Sequence, residues 1–126
     1  MLSQTRVTTM LPVKDMERAR AFYEGKLGMQ PDGGARVDGR YEYRCEGSTI
    51  ALIPREGGTK AEHTALSFEV RDIGRRIREL EEAGVQFEDY DLPGLKTVEH
   101  VCVLGSEKAA WFRDTEGNFL CLHEAS

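Results

Sequence analysis

Two segments of this chain share the same punctuation, and that repeat limits the fold more than any other feature. Val13-Lys14-Asp15 opens a run with helical spacing that stops at Leu27-Gly28, and Val70-Arg71-Asp72 opens another that stops at Ala83-Gly84. Their offset is 57 residues (72 − 15). In the first run Met16, Ala19, Phe22, Tyr23 and Leu27 form an apolar stripe; in the second Ile73, Ile77, Leu80 and Ala83 do so. Asp15 and Asp72 stand where an N-cap belongs, Gly28 and Gly84 where a helix stops. Before each helix lies a stretch with period-two alternation: Val7, Leu11 and Val13 on one face, then Leu66, Phe68 and Val70. Those apolar faces require the helices as cover.

A second correspondence links Glu46-Gly47 before Ile50-Ala51-Leu52 to Glu116-Gly117 before Leu120-Cys121-Leu122, at an offset of 70 residues (116 − 46). The second copy is therefore longer by 13 residues (70 − 57). The surplus falls between Glu88 and Lys108, where Asp91-Leu92-Pro93-Gly94 and Gly105-Ser106 supply turn chemistry. It reads either as an extended strand connection or as a lid. Strand, helix, then three strands, given twice, is an α+β pattern of two tandem βαβββ modules. With 126 residues the chain has the length of one domain. The expected limits are one domain over 1–126, with module 1 at about 6–56 and module 2 at about 63–126.

The remaining composition excludes several functions. A net charge of -5 leaves no basic stripe for a phosphate backbone, so no nucleic-acid partner is expected. The longest apolar runs, such as Ile50 to Ile53, are too short to span a bilayer, and the first six residues lack a signal-peptide core. No membrane partner and a cytoplasmic location follow as expectations. Cys45, Cys102 and Cys121 are odd in number with no Cys-x-x-Cys spacing, which reads as free thiols.

The functional face is approached by parity. If Val7, Leu11 and Val13 meet the helix, Thr8 and Met10 face away; in the second copy the same rule sends His63, Ala65 and Ser67 away. The hairpin Arg113-Asp114-Thr115-Glu116-Gly117-Asn118 suits a three-residue loop with Gly117 left-handed. That loop pairs Asp114 with Asn118 and sets Trp111 opposite Cys121. Carried to the first copy, it sets Tyr41 opposite Ala51, with Tyr43 two residues on. A slip of one residue instead turns Trp111, Tyr41 and Tyr43 toward the helices and brings Phe112 out. In the first register the outward face carries Thr8, Met10, Tyr41, Tyr43, Ala51, His63, Ala65, Trp111, Cys121 and His123. Such an apolar and aromatic surface suits a small-molecule cleft, plain packing, or a dimer contact.

Thr9-Met10-Leu11-Pro12-Val13-Lys14-Asp15-Met16, with Ala21-Phe22-Tyr23 and Leu27-Gly28, resembles the opening of vicinal oxygen chelate proteins, the superfamily of glyoxalases, bleomycin-resistance proteins and extradiol dioxygenases. Ala110-Trp111-Phe112-Arg113-Asp114-Thr115-Glu116-Gly117-Asn118 resembles their Phe-x-Asp-Pro-Asp-Gly-Asn hairpin, with Thr115 and Glu116 in place of Pro and Asp. The resemblance implies a glyoxalase-like domain whose two modules form a curved mixed-sheet cleft, commonly in homodimers. It also implies metal ligands on cleft strands, and those positions fall on Thr8, Ala51, Ala65 (or His63, by a second alignment) and Cys121. Three of these ligate poorly, and a catalytic metal normally takes about three protein ligands. No metal and no cofactor is therefore expected. A soft site of His63, Cys121 and His123 is the metal-binding alternative. Cys121 and His123 lie two residues apart on one strand, roughly 6 to 7 Å, too far for a nucleophile and base in contact. The leading reading is a homodimeric protein that binds a small hydrophobic or aromatic molecule in a metal-free cleft. The alternatives are a metal-dependent glyoxalase, isomerase or dioxygenase-type enzyme, and a dimeric interaction module without ligand.

Overall fold

A computed structural model of the chain describes residues 1–125. The chain divides into two compact units, with the boundary between Lys60 and Ala61. Among the described residues no helix is long and apolar enough to cross a membrane.

The first unit runs β1 (Thr8–Val13), α1 (Met16–Arg20), a π-helical turn (Ala21–Lys26), β2 (Tyr41–Cys45) and β3 (Ser48–Pro54). Asp15 caps α1 by accepting from the Arg18 amide at 3.1 Å, as its position before the apolar stripe requires. The widened turn that follows allows the consecutive Phe22 and Tyr23 both to be buried, and Gly28 ends it with φ 68°. The sheet order is β1-β3-β2, with β3 parallel to β1 and antiparallel to β2. The strand expected before β2 is reduced to a single bridge, Pro31 to Tyr43.

Tyr43 anchors this unit. Its ring is fully buried, stacks on Tyr23 at 6.3 Å, and its hydroxyl donates to Glu24 Oε2 at 2.7 Å. Arg20 reaches the same carboxylate at 2.9 Å and lies 4.0 Å over the Tyr41 ring. Both tyrosines therefore face the helix, a correction to the outward placement expected for Tyr41 and Tyr43. The cause is turn length. Cys45 pairs with Ser48 across a loop of only Glu46 and Gly47, so Tyr41 lies opposite Leu52 and Glu42 lies opposite Ala51. The second copy's three-residue loop does not transfer.

The second unit runs β4 (Thr64–Glu69), α2 (Ile73–Glu82), β5 (Asp91–Leu92), β6 (Leu95–Val98), β7 (Val101–Leu104), β8 (Glu107–Arg113) and β9 (Phe119–Glu124). Its sheet order is β4-β9-β8-β7-β6-β5. The surplus between Glu88 and Lys108 is thus an extended strand connection that widens the sheet, with Pro93-Gly94 turning β5 into β6 at Gly94 φ 77°. Asp72 accepts from the Arg75 amide, and Glu124 of β9 accepts from the Ile73 amide at 2.8 Å, so the start of α2 is capped from two sides. The turn from β6 to β7 is made by Glu99 and His100, both left-handed (φ 52° and 72°). His100 is held by Asp89 at 3.0 Å through Nδ1 and by Glu81 at 3.3 Å through Nε2.

The last hairpin is built on the Asp114 carboxylate. Oδ1 accepts from the amides of Glu116 (2.9 Å) and Asn118 (2.8 Å), and Oδ2 accepts from the Asn118 side chain at 2.9 Å. Gly117 takes φ 86°, and the Asp114 amide donates to the Asn118 carbonyl. Trp111 consequently pairs with Cys121, and Phe112, 1% exposed, turns to the helix side.

Two stability outcomes follow. Asp114→Ala strips a buried site of its acceptor and should lower unfolding free energy by about 2 to 3 kcal/mol in urea titrations. In the first unit the Tyr43 hydroxyl, then Arg20, hold the Glu24 carboxyl below its ordinary range. A depressed carboxyl contributes stability above its unfolded value and loses it as pH falls, so acid destabilisation should begin below about pH 4.5. Tyr43→Phe should flatten that acid slope and cost about 1 to 2 kcal/mol at neutral pH.

Candidate functional site

Side chains of paired residues share a face, so the registers sort each sheet. In the first unit the row Met10–Ala51–Glu42 lies on the face away from the helix, beside the row Thr8–Thr49–Arg44. Thr8, Met10 and Ala51 are therefore together on one face, as parity requires. What joins them is charged. Glu42 is met by Arg40 at 2.8 Å and Arg36 at 3.3 Å, and Arg44 meets Asp32 at 3.3 Å. Glu42 occupies the place that loop transfer gives to Tyr41.

In the second unit the equivalent row is Ser67–Cys121–Trp111, followed by Glu69–His123–Ala109. Trp111, Cys121 and His123 thus share the open face. Ala65 has no partner in this register. A bulge between Thr64 and Leu66 brings Thr64 opposite Phe119, and Thr64 takes the outward place. His63 sits exposed in the bend before β4. Parity counted from Leu66 misses such a bulge, because an inserted residue leaves no mark in the hydrophobic pattern.

Around Trp111 the face is ordered by specific contacts. The indole Nε1 donates to Thr64 Oγ1 at 3.2 Å, and Tyr90 meets the ring edge-on with centroids 5.8 Å apart. Tyr90 comes from the irregular segment after α2, tied down because the Glu88 amide donates to the Trp111 carbonyl at 2.7 Å. Burial, then the Glu88 charge, raises the Tyr90 phenol above its ordinary value, so it is a neutral donor. Ser67 Oγ lies 2.7 Å from His123 Nδ1, and Glu69 lies 3.8 Å from His123 Nε2. Arg113 stacks over the Phe119 ring at 4.4 Å while paired with Glu88 at 2.7 Å. Thr64, Ser67 and Tyr90 were not among the residues singled out by sequence. Only Ser67 carried a signal, the parity of its strand.

The donor chemistry does not suit the divalent metal that the resemblance implies. Ala51 and Ala65 offer no donor atom and Thr8 only a neutral hydroxyl. Cys121 is 5% exposed and donates to the Leu122 carbonyl at 3.2 Å; burial pushes its thiol up, opposing the thiolate a metal requires. His63 does not join Cys121 and His123, so the soft site of those three is not assembled. Among the described residues no group of three or more His, Cys, Asp or Glu is placed to hold a metal ion.

Comparison with known proteins gives this geometry its context. No curated protein matches the chain. Among solved structures, a protein of Bacillus anthracis assigned to the glyoxalase family is 20% identical over 98% of this chain and 96% of its own, with TM-score 0.77. FosX of Listeria monocytogenes, a genomically encoded fosfomycin resistance protein, is 13% identical over 98% and 94%, with TM-score 0.72. TnmS3 of Streptomyces sp. CB03234, an antibiotic binding protein, is 20% identical over 100% and 99%, with TM-score 0.69. These likenesses establish the fold, and the family model covers residues 5–122. The chain belongs to the Glyoxalase/Bleomycin resistance protein/Dioxygenase superfamily.

Proposed function

We propose that this protein binds a small, partly aromatic molecule on the open face of its second unit, and does so without a catalytic metal. The observation that carries the reading is Trp111: an indole on an open sheet face, pinned through its N–H to Thr64 and backed by Tyr90. A flat ligand stacks on such a ring without having to order it first, which reduces the entropy cost of binding. Such a contact is worth about 0.5 to 1.5 kcal/mol beyond buried area. The Ser67–His123 pair supplies a polar contact at one end and the Tyr90 hydroxyl another, the usual mixture of apolar floor and few polar groups in a ligand site. An antibiotic-binding protein and a fosfomycin resistance protein among the structural relatives support this class of role. Ala51, which offers no donor atom where the family resemblance implies a ligand, and Thr64, which offers only a neutral hydroxyl at the outward place of β4, support the metal-free form.

Trp111 is the only tryptophan, so its emission reports occupancy directly. In a screen of amphipathic aromatic compounds, those that raise the melting temperature should quench Trp111, and Trp111→Ala should weaken them roughly ten- to a hundredfold. Stabilising compounds that leave the emission unchanged and bind Trp111→Ala equally well would refute the site. Elemental analysis of protein purified without chelator should give well under one divalent metal per chain, with a melting temperature indifferent to chelator. Stoichiometric zinc, nickel, iron or manganese would instead favour a metal enzyme.

A further inference from the structure

On the opposite, helix-bearing face of the second unit's sheet, α2 covers β8 and β9 and leaves the outer strands bare. The registers Val101 to Val98 and Val103 to Lys108 send these side chains to the same face as Ala110 and Phe112. Between them and α2 runs a groove of about 760 Å³, within the range of small-molecule sites. Its apolar lining is Val98, Val101 and Val103 from the strands, with the buried Ile73 and Ile77 of the helix at its base. Val98 and Val103 are 66% and 64% exposed, so both present apolar side chains to water. Gly74 adds to the opening by having no side chain; a Cβ there would stand 3.5 Å from Arg78 Nη1.

The rim is charged with a bias. Arg78, Lys96 and Lys108 line it, and none of the three has an ion-pair partner among the described residues. Two carboxylates also line the groove, Glu99 at the tip of the turn and Glu81, which lies 3.3 Å from His100 Nε2. Three cations against two carboxylates at the groove reverse, locally, the sign of the net charge of -5 carried by the chain.

We propose that this groove is a second binding site, for an amphipathic monoanion whose hydrocarbon part lies on the valine floor and whose carboxylate or sulfonate meets Lys96, Lys108 and Arg78. The ligand is a free small molecule: the groove has the volume for one, and the cations stand at its rim rather than spread over a flat surface. This site is independent of Trp111, being on the other side of the sheet.

Calorimetric titration with octanoate, nonanoate and decanoate, each below its micelle concentration, tests the proposal. Affinity should rise roughly fourfold per added methylene, the gain expected for burying one CH₂. Decyltrimethylammonium, with the same chain and opposite charge, should bind at least tenfold more weakly than decanoate. Lys96→Glu with Lys108→Glu, both at exposed positions, should lose tenfold or more for decanoate while keeping the melting temperature of the free protein. Val103→Asp should weaken decanoate through loss of the floor. Amide shifts on adding decanoate should centre on Val98, Val101 and Val103. Equal binding of the cationic and anionic chains, shifts confined to Thr64, Ser67 and Trp111, or sedimentation with phosphatidylglycerol vesicles without binding of free decanoate would each overturn it.

Discussion

The hydrogen bonds to the Asp114 carboxylate determine what the second unit can offer a ligand. A carboxylate removed from water must be repaid by strong donors, and here two amides and an Asn side chain do so at 2.8 to 2.9 Å. Those bonds fix a three-residue loop, the loop fixes the register, and the register decides that an indole rather than a phenyl ring faces outward. Nothing in the strand itself would enforce this choice, since Trp111 and Phe112 are both large, apolar and suited to a sheet. The open face of the second unit is thus specified by polar chemistry several residues away from it.

The contrast between the two units follows from the same logic. Glu46-Gly47 closes the first hairpin with one residue fewer, so Tyr41 and Tyr43 turn inward and Glu42 and Arg44 turn outward. Tyr43 and Tyr23 then become the buried centre of the unit, and its other face becomes an arginine and carboxylate network. One copy presents an aromatic surface with few charges, the other a charged surface with few aromatics, from strands that began with the same alternation.

This explains how far the sequence could be read. Offsets of 57 and 70 located both helices, both caps and the paired outer strands, because caps and apolar stripes are written in residue types. Met10 opposite Ala51 and Ser67 opposite Cys121 obey both offsets at once. Where the structure departs from the repeat, a single inserted or missing residue is responsible: the short loop at Glu46-Gly47, and the bulge that gives Thr64 the place expected for Ala65. Neither alters the hydrophobic pattern, yet each reverses the direction of the side chains beyond it. Tyr90 was hidden for another reason. It lies in irregular chain, where no periodicity exists and its position is set by the Glu88 amide bond to β8 and by Thr97, whose hydroxyl accepts from the Tyr90 amide and whose amide donates to the Tyr90 carbonyl.

The Glu99-His100 turn makes the outer strands of the second unit depend on its helix. Two consecutive left-handed residues suit Asn-Gly, whereas a Glu and a His with Cβ atoms resist that conformation. Left alone, β6 and β7 therefore lack a turn that could start them as an autonomous hairpin. The compensation comes from Glu81 on α2 and Asp89 after it, which grip the two imidazole nitrogens. Those partners tie the turn to the helix and its exit segment, so the strain is offset only where α2 and Asp89 are in place. The outer strands thus depend on contacts from α2 and its exit segment for a turn that their own residues disfavour.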